Sequence, residues 1–176
     1  VNTVSRNTEI GRAERFVETI KRTHRFVSET KEWHVCEDGV WRKTDEKQVL
    51  QQAFLFIKQD AQRIAGMDDD RDREEAIVDY RRYANRSGVS NVTALASVRL
   101  LAQLDEFDTD DNALSVNEGW VDLRTNKRHG IDASKMFSLS CAARYSPIDR
   151  AELWRKTVNE VFNGDKCLIE YFQKAA

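Results

Sequence analysis

Proline is almost missing from this sequence: Pro147 stands alone, beside seven glycines. An all-β sandwich, with a turn every 8–12 residues, needs more of both. Long apolar runs are missing too. The longest, Ala53-Phe54-Leu55-Phe56-Ile57, falls far short of the roughly 18 residues of a membrane span and sits inside a polar helical pattern. The start, Val1 to Arg6, carries no apolar signal-peptide core, and the absent initiator Met points to a piece cut from a longer chain. Cys36, Cys141 and Cys167 are an odd number without a C-x-x-C, which fits a reduced compartment. Charge of one sign is lacking as well. With 28 basic and 30 acidic residues the net charge is −2, which excludes a polybasic protein and an acidic tail. Neither G-x-x-x-x-G-K-[ST] nor G-x-G-x-x-G occurs, so the chain holds no phosphate cradle and is not expected to hydrolyse ATP by itself.

What is present is 40% apolar and 33% charged residues over 176 positions. That combination supports a sizeable core under a heavily solvated, helical surface. A first helix is predicted from Thr8, as N-cap, to Thr23, burying Ile10, Ala13, Phe16, Val17 and Ile20. Trp33–Cys36 and Val40–Arg42 read as a hairpin about Asp38-Gly39. A second helix covers Asp45 to Ala65, with Val49, Ala53, Phe54, Ile57, Ala61 and Ile64 inward and Gly66 as stop. A third opens at Asp68-Asp69-Asp70 and ends near Asn85, with Ile77, Tyr80 and Ala84 as its stripe. Ser87-Gly88 is read as the break and Ser90 as the cap of a fourth helix burying Val92, Leu95, Val98, Leu101 and Ala102.

The pattern then changes. Five acids lie among residues 105–111, read as a loop. Ala113–Val116 and Trp120–Leu123 flank Asn117-Glu118-Gly119 as a second hairpin, with a turn at 124–127 and an extended stretch around Met136 to Ser140. Asp149 is read as the cap of a helix burying Ala151, Trp154, Val158 and Val161. Gly164 ends it, and Asp165 starts a last short helix with Leu168, Ile169 and Phe172. The expected fold is mainly α with a small β-hairpin element (α+β). It forms one domain: helices over 8–103, a β-containing part over 104–146, and terminal helices over 149–174.

Candidate chemistry is sparse. His34 and Cys36 share one face of a strand, half of a zinc site at most, and His24, His129, Cys141 and Cys167 supply no partner spacing. No metal site and no catalytic residue is assigned. Local charge is more informative than net charge. Residues 1–28 carry a net +3, through Arg12 and Arg15 among others, and residues 119–156 a net +4, including Lys127 and Arg128. Arg81, Arg82 and Arg86, interleaved with Tyr80 and Tyr83, are candidates for phosphate contact and base stacking. Tyr83 neighbours the Tyr80–Ala84 stripe and is equally read as core.

The ordered motifs resemble the region that precedes the helicase in phage and plasmid primase-helicases, similar to the poxvirus primase-helicase. Thr8-Glu9-Ile10-Gly11-Arg12-Ala13-Glu14-Arg15-Phe16 resembles that family's T-x-x-G-N-A-x-R-F opening. The Trp33–Trp41 segment resembles its tryptophan hairpin. Leu104–Asp108 followed by Leu114–Thr125 resembles its F-D-x-x-x-x-L-N-x-x-N-G-x-x-D-L-R-T-G stretch. His129, Tyr145-Ser146-Pro147, Trp154 and Ile169–Phe172 follow in order. The departures are Arg12 for Asn, Glu118 ahead of Gly119, and Asn126 for Gly, which concern turn geometry.

The resemblance implies a non-catalytic domain of a DNA replication protein in a bacterial or archaeal cytoplasm. It implies a following superfamily 3 helicase of AAA+ type, which would hold the ATP and Mg²⁺, and a primase ahead of it. DNA bound weakly, the adjacent domains and a ring of copies are the expected partners, with no membrane. No cofactor is expected in this part. Two rival readings are a helix-turn-helix-like DNA-binding regulator built on the Ser87-Gly88 pair, and a phosphoryl-transfer enzyme using Asp105, Asp108 and Asp110. Trp120 and Trp154 are expected to be buried.

Overall fold

The computed structural model describes residues 8–142, 145–146 and 151–175. They fall in two compact units, residues 1–143 and 144–176. Among the described residues the architecture is mainly α with two small sheets.

The first unit begins with α1 (Glu9–Ile20), where Thr8 Oγ1 accepts from Gly11 N at 3.1 Å. The helix stops three residues earlier than its pattern suggested, because His24–Val27 forms a strand, β1. The tryptophan hairpin follows as β2 (Glu32–Glu37) and β3 (Val40–Thr44). Asp38 and Gly39 both take positive φ, 51° and 84°, as a two-residue hairpin turn requires. Next comes α2 (Glu46–Ala65), capped by Asp45 and stopped at Gly66. After it run α3 (Asp70–Tyr83) and α4 (Arg86–Arg99). Leu101-Ala102 leaves the helical pattern as β4, pairing parallel with β1. The sheet order is β3-β2-β1-β4.

One face of this sheet carries Phe26 and Trp33, which join Phe16, Ile20, Val49, Ala53, Ile57, Tyr83, Val92 and Ala96 in the main core. The opposite face carries Trp41, which receives the segment after β4. There β5 (Ala113–Val116), β6 (Gly119–Asp122) and β7 (Lys127–His129) form an antiparallel meander. Trp41 Nε1 donates to Ala133 O at 2.9 Å, and Trp41 N to Phe137 O at 2.7 Å. Val116 bridges Cys141 in turn. Asn126, where the resembling family has glycine, sits at φ 52°, a conformation that asparagine tolerates better than most residues.

The α3–α4 corner differs from the sequence reading. The break falls at Ala84-Asn85, and Asn85, not Ser90, caps α4 by accepting from Gly88 N at 3.0 Å. Ser87 and Gly88 lie in its first turn. Glycine is needed at 88 because a Cβ there would sit 1.9 Å from Tyr83 O. Gly88→Ala is therefore expected to force the two helices apart, at a cost of about 2–3 kcal/mol. Urea unfolding checks this, and an unchanged midpoint would show that the corner yields freely. Several residues placed inward by periodicity are outward: Ile10, Phe54, Ala84 and Val98 are exposed.

The second unit contains α5 (Glu152–Val161) and α6 (Lys166–Ala175). Asp149, the expected cap, lies outside the described residues. Asp165 Oδ1 accepts from Cys167 N at 2.9 Å and Leu168 N at 3.2 Å, which starts α6 as expected. The two helices meet through Trp154, Phe162 and Phe172, with ring centroids 5.3–6.0 Å from Phe172. Val158 is buried, but Trp154 keeps 48% of its surface exposed and Val161 is also exposed, so neither matches the expected burial.

Candidate nucleic-acid interface

The site begins with a carboxylate on an apolar stripe. Val49, Ala53, Ile57, Asp60 and Ile64 form the buried side of α2, and Asp60 is only 4% exposed. Arg15 of α1 clamps it bidentately, Nη1 to Oδ1 at 3.1 Å and Nη2 to Oδ2 at 2.9 Å. Arg63 Nε donates to Oδ1 at 3.1 Å, and the Tyr83 hydroxyl to Oδ2 at 3.0 Å. Burial pushes the Asp60 carboxyl up, but the Arg15 hydrogen bonds and charge, then Arg63 and Tyr83, outweigh it and leave it below the ordinary value. Burial, then the Asp60 charge and hydrogen bond, push Tyr83 up to about 12. Arg12 is 9% exposed and lies 3.7 Å over the Tyr83 ring, a cation–π contact. Arg12 and Arg15 thus hold α1 to α2 and α3. Tyr83 is core, the second of its two readings.

This hub fixes the α3–α4 corner, and the corner presents cations. Arg81, Arg82 and Arg86 are exposed. Arg82 and Arg86 line a cleft of about 440 Å³ with Arg12, Ser87 and Asn91. Glu9 also lines it and is held by Asn91 Nδ2. Beside it runs a groove of about 700 Å³ between α2 and α4, walled by Phe54, Ile57, Tyr80 and Val89. Arg86 and Asn85 border both. Arg81 borders neither. Asp60 and this groove escaped the sequence reading. The readable signal was a carboxylate spaced as a member of the second helix's apolar stripe.

Lys127 and Arg128 lie on β7, in the small sheet. Lys127 is exposed. Arg128 Nη2 donates to the carbonyl and carboxylate of Glu118, at 3.0 and 3.1 Å. Glu118 holds φ 67°, so that contact braces the turn. Trp120 is half-buried, stacked on His129 at 4.2 Å with Lys135 Nζ 4.2 Å from its ring.

Within the acidic segment, Asp108 and Asp110 serve structure. Asp108 accepts from Ser138 N at 2.9 Å and from the Ser138 hydroxyl, while Asp110 accepts from Lys135 Nζ at 2.9 Å. His34 packs on Phe107 at 5.7 Å, and burial raises the Cys36 thiol. Among the described residues no group of three or more His, Cys, Asp or Glu is placed to hold a metal ion. No described helix is long and apolar enough to cross a membrane.

The fold and site define a mainly helical domain whose most distinctive surface is a basic corner beside an apolar groove. A family model described as "D5 N terminal like" matches residues 13–163, most of the chain. The chain belongs to that family, the N-terminal domains of D5-like primase-helicases. Comparison with curated proteins finds no match.

Proposed function

We propose that this domain is a non-catalytic coupling element of a phage- or plasmid-type DNA replication primase-helicase. It precedes a superfamily 3 AAA+ helicase that binds ATP and Mg²⁺, links it to a primase, and supports ring assembly and DNA contact. The family match across residues 13–163 carries this reading. The exposed Arg81, Arg82 and Arg86 support the DNA contact. Alone, the domain offers few phosphate contacts and binds weakly. A ring multiplies them through effective concentration. The regulator reading has less support, since only Ala84 and Asn85 separate α3 from α4, against the 3–4-residue turn of helix-turn-helix proteins.

The test is a titration with labelled DNA at several salt concentrations, on wild type and on Arg81→Ala/Arg82→Ala/Arg86→Ala. Weak, salt-sensitive binding is expected. In the triple variant the logarithmic salt slope should fall by about 2–3 on duplex, since each lost contact removes about 0.9. Equal affinity and slope for both proteins would remove DNA contact from this corner.

A further inference from the structure

The apolar groove and the basic cleft meet at Arg86, and their chemistries are complementary parts of one site. We infer that this corner is a seat for single-stranded nucleic acid, with bases in the groove against Phe54 and Tyr80 and the backbone along Arg86 and Arg82. The inference rests on the proposed DNA contact and specifies its form.

Phe54 is the first observation. It lies on the helix that buries Val49, Ala53, Ile57 and Ile64, yet 55% of its surface meets solvent, more than the 47% of Leu55 beside it, which does not line the groove. Tyr80 stands in the same groove, half-buried and held edge-on to the buried Tyr83 ring at 5.6 Å. Single-strand binders combine such rings with a cationic track, because every base offers a π-face. Ile57 and Val89 complete an apolar wall for planar rings.

The rim supplies the charge. Lys58 borders the groove from α2 and Arg86 from α4, with Arg82 in the adjoining cleft. None of the three is tied into an ion pair with another described residue, whereas Arg15, Arg63, Arg73 and Arg99 all are. The N-terminus of α4 opens on the cleft and adds positive potential. These cations match a polyanion better than an apolar protein helix.

Sequence indifference follows from the polar residues. Asn85, the amide that borders both groove and cleft, is engaged in holding the corner: its Oδ1 accepts from Gly88 N and its Nδ2 donates to Arg82 O at 2.7 Å. A duplex keeps its bases stacked inside and cannot lay one on Phe54, so the seat favours single strands.

The experiment compares oligothymidylate, an abasic strand of equal length and a duplex by fluorescence anisotropy. The proteins are wild type, Phe54→Ala, Arg86→Ala and Arg81→Ala, each checked by urea midpoint. Phe54→Ala is expected to weaken oligothymidylate binding about tenfold and to leave its salt slope, the abasic strand and the duplex unchanged. Arg86→Ala should weaken all three and lower the single-strand slope by about 0.7. Arg81→Ala should do less than Arg86→Ala. If Phe54→Ala leaves oligothymidylate affinity intact while Arg86→Ala weakens it, DNA contact survives and the groove is not its seat. If Phe54→Ala instead changes only the oligomeric state, the groove docks protein and the inference falls. No binding by wild type at low salt removes the DNA contact and the seat together.

Discussion

Asp60→Ala is expected to lose about 3–5 kcal/mol of stability, the usual cost of removing one member of a buried ion pair. The loss comes from what stays behind. The Arg15 side chain, about three-quarters buried, keeps its charge without its carboxylate, and the Tyr83 hydroxyl loses its acceptor. Urea unfolding measures it, and a cost below about 1 kcal/mol would show that water takes over the carboxylate's role. The pH dependence follows from the signs of the shifts. The Asp60 pKa is depressed in the fold, so its contribution is present above the unfolded value of about 3.9 and is lost as pH falls through the folded value. The Tyr83 pKa is raised, so its contribution is complete below about 10 and is lost as pH rises toward about 12. Asp60→Asn should flatten the acid edge measured by thermal melting. An acid edge as steep as in wild type would place it on other carboxylates.

Trp41→Ala should cost a similar amount, about 3–5 kcal/mol, and should expose the segment after β4 to proteolysis before the helices unfold. Trp41 is 1% exposed, with Arg25 5.0 Å from its ring and Phe107 edge-on at 6.5 Å. Its indole N–H serves Ala133 O. Trp41→Phe keeps most of the ring but orphans that carbonyl, and should cost about 1–3 kcal/mol. Equal losses for both variants would mean that the hydrogen bond, not the packing, joins the two parts. Limited proteolysis read by mass distinguishes cleavage within 104–142 from cleavage in the helices.

The elements that were legible in the sequence are those whose pattern is local. The second helix, from the Asp45 cap to Gly66, follows from apolar spacing and end signals within one segment, and the Asp38-Gly39 hairpin follows from two residues. The strands β1, β4 and β7 were not legible. They are four, two and three residues long, and β4 is a strand because it pairs with β1, at a distant point of the chain. The α3–α4 boundary misled for a related reason. Gly88 signals a break when read locally, but it answers the backbone of Tyr83 in the preceding helix. The candidate site divided in the same way. The exposure of Arg81, Arg82 and Arg86 accords with a charged helix end. Arg12 and Arg15 carry the same charge, yet both serve contacts across helices, with Tyr83 and Asp60, that no spacing within α1 announces. Phe54 has the reverse history: helical periodicity assigns it to the core, and the neighbouring helices leave it uncovered.

The parallel pairing of β1 with β4 has a kinetic consequence. Phe26 N donates to Leu100 O and Ser28 N to Ala102 O, across a stretch that contains β2, β3 and three helices. The β2–β3 hairpin closes over two residues and can form within microseconds. The bonds to β4 must wait until that whole stretch has condensed, because long loops are closed at an entropic cost before their contacts reward it. The amides of Phe26 and Ser28 are therefore clocks for the last step of assembly. In pulsed hydrogen exchange during refolding they should gain protection after the amides of the tryptophan hairpin. Until they do, the outer edge of β1 is an open strand to which a neighbouring chain, at high concentration, can add itself.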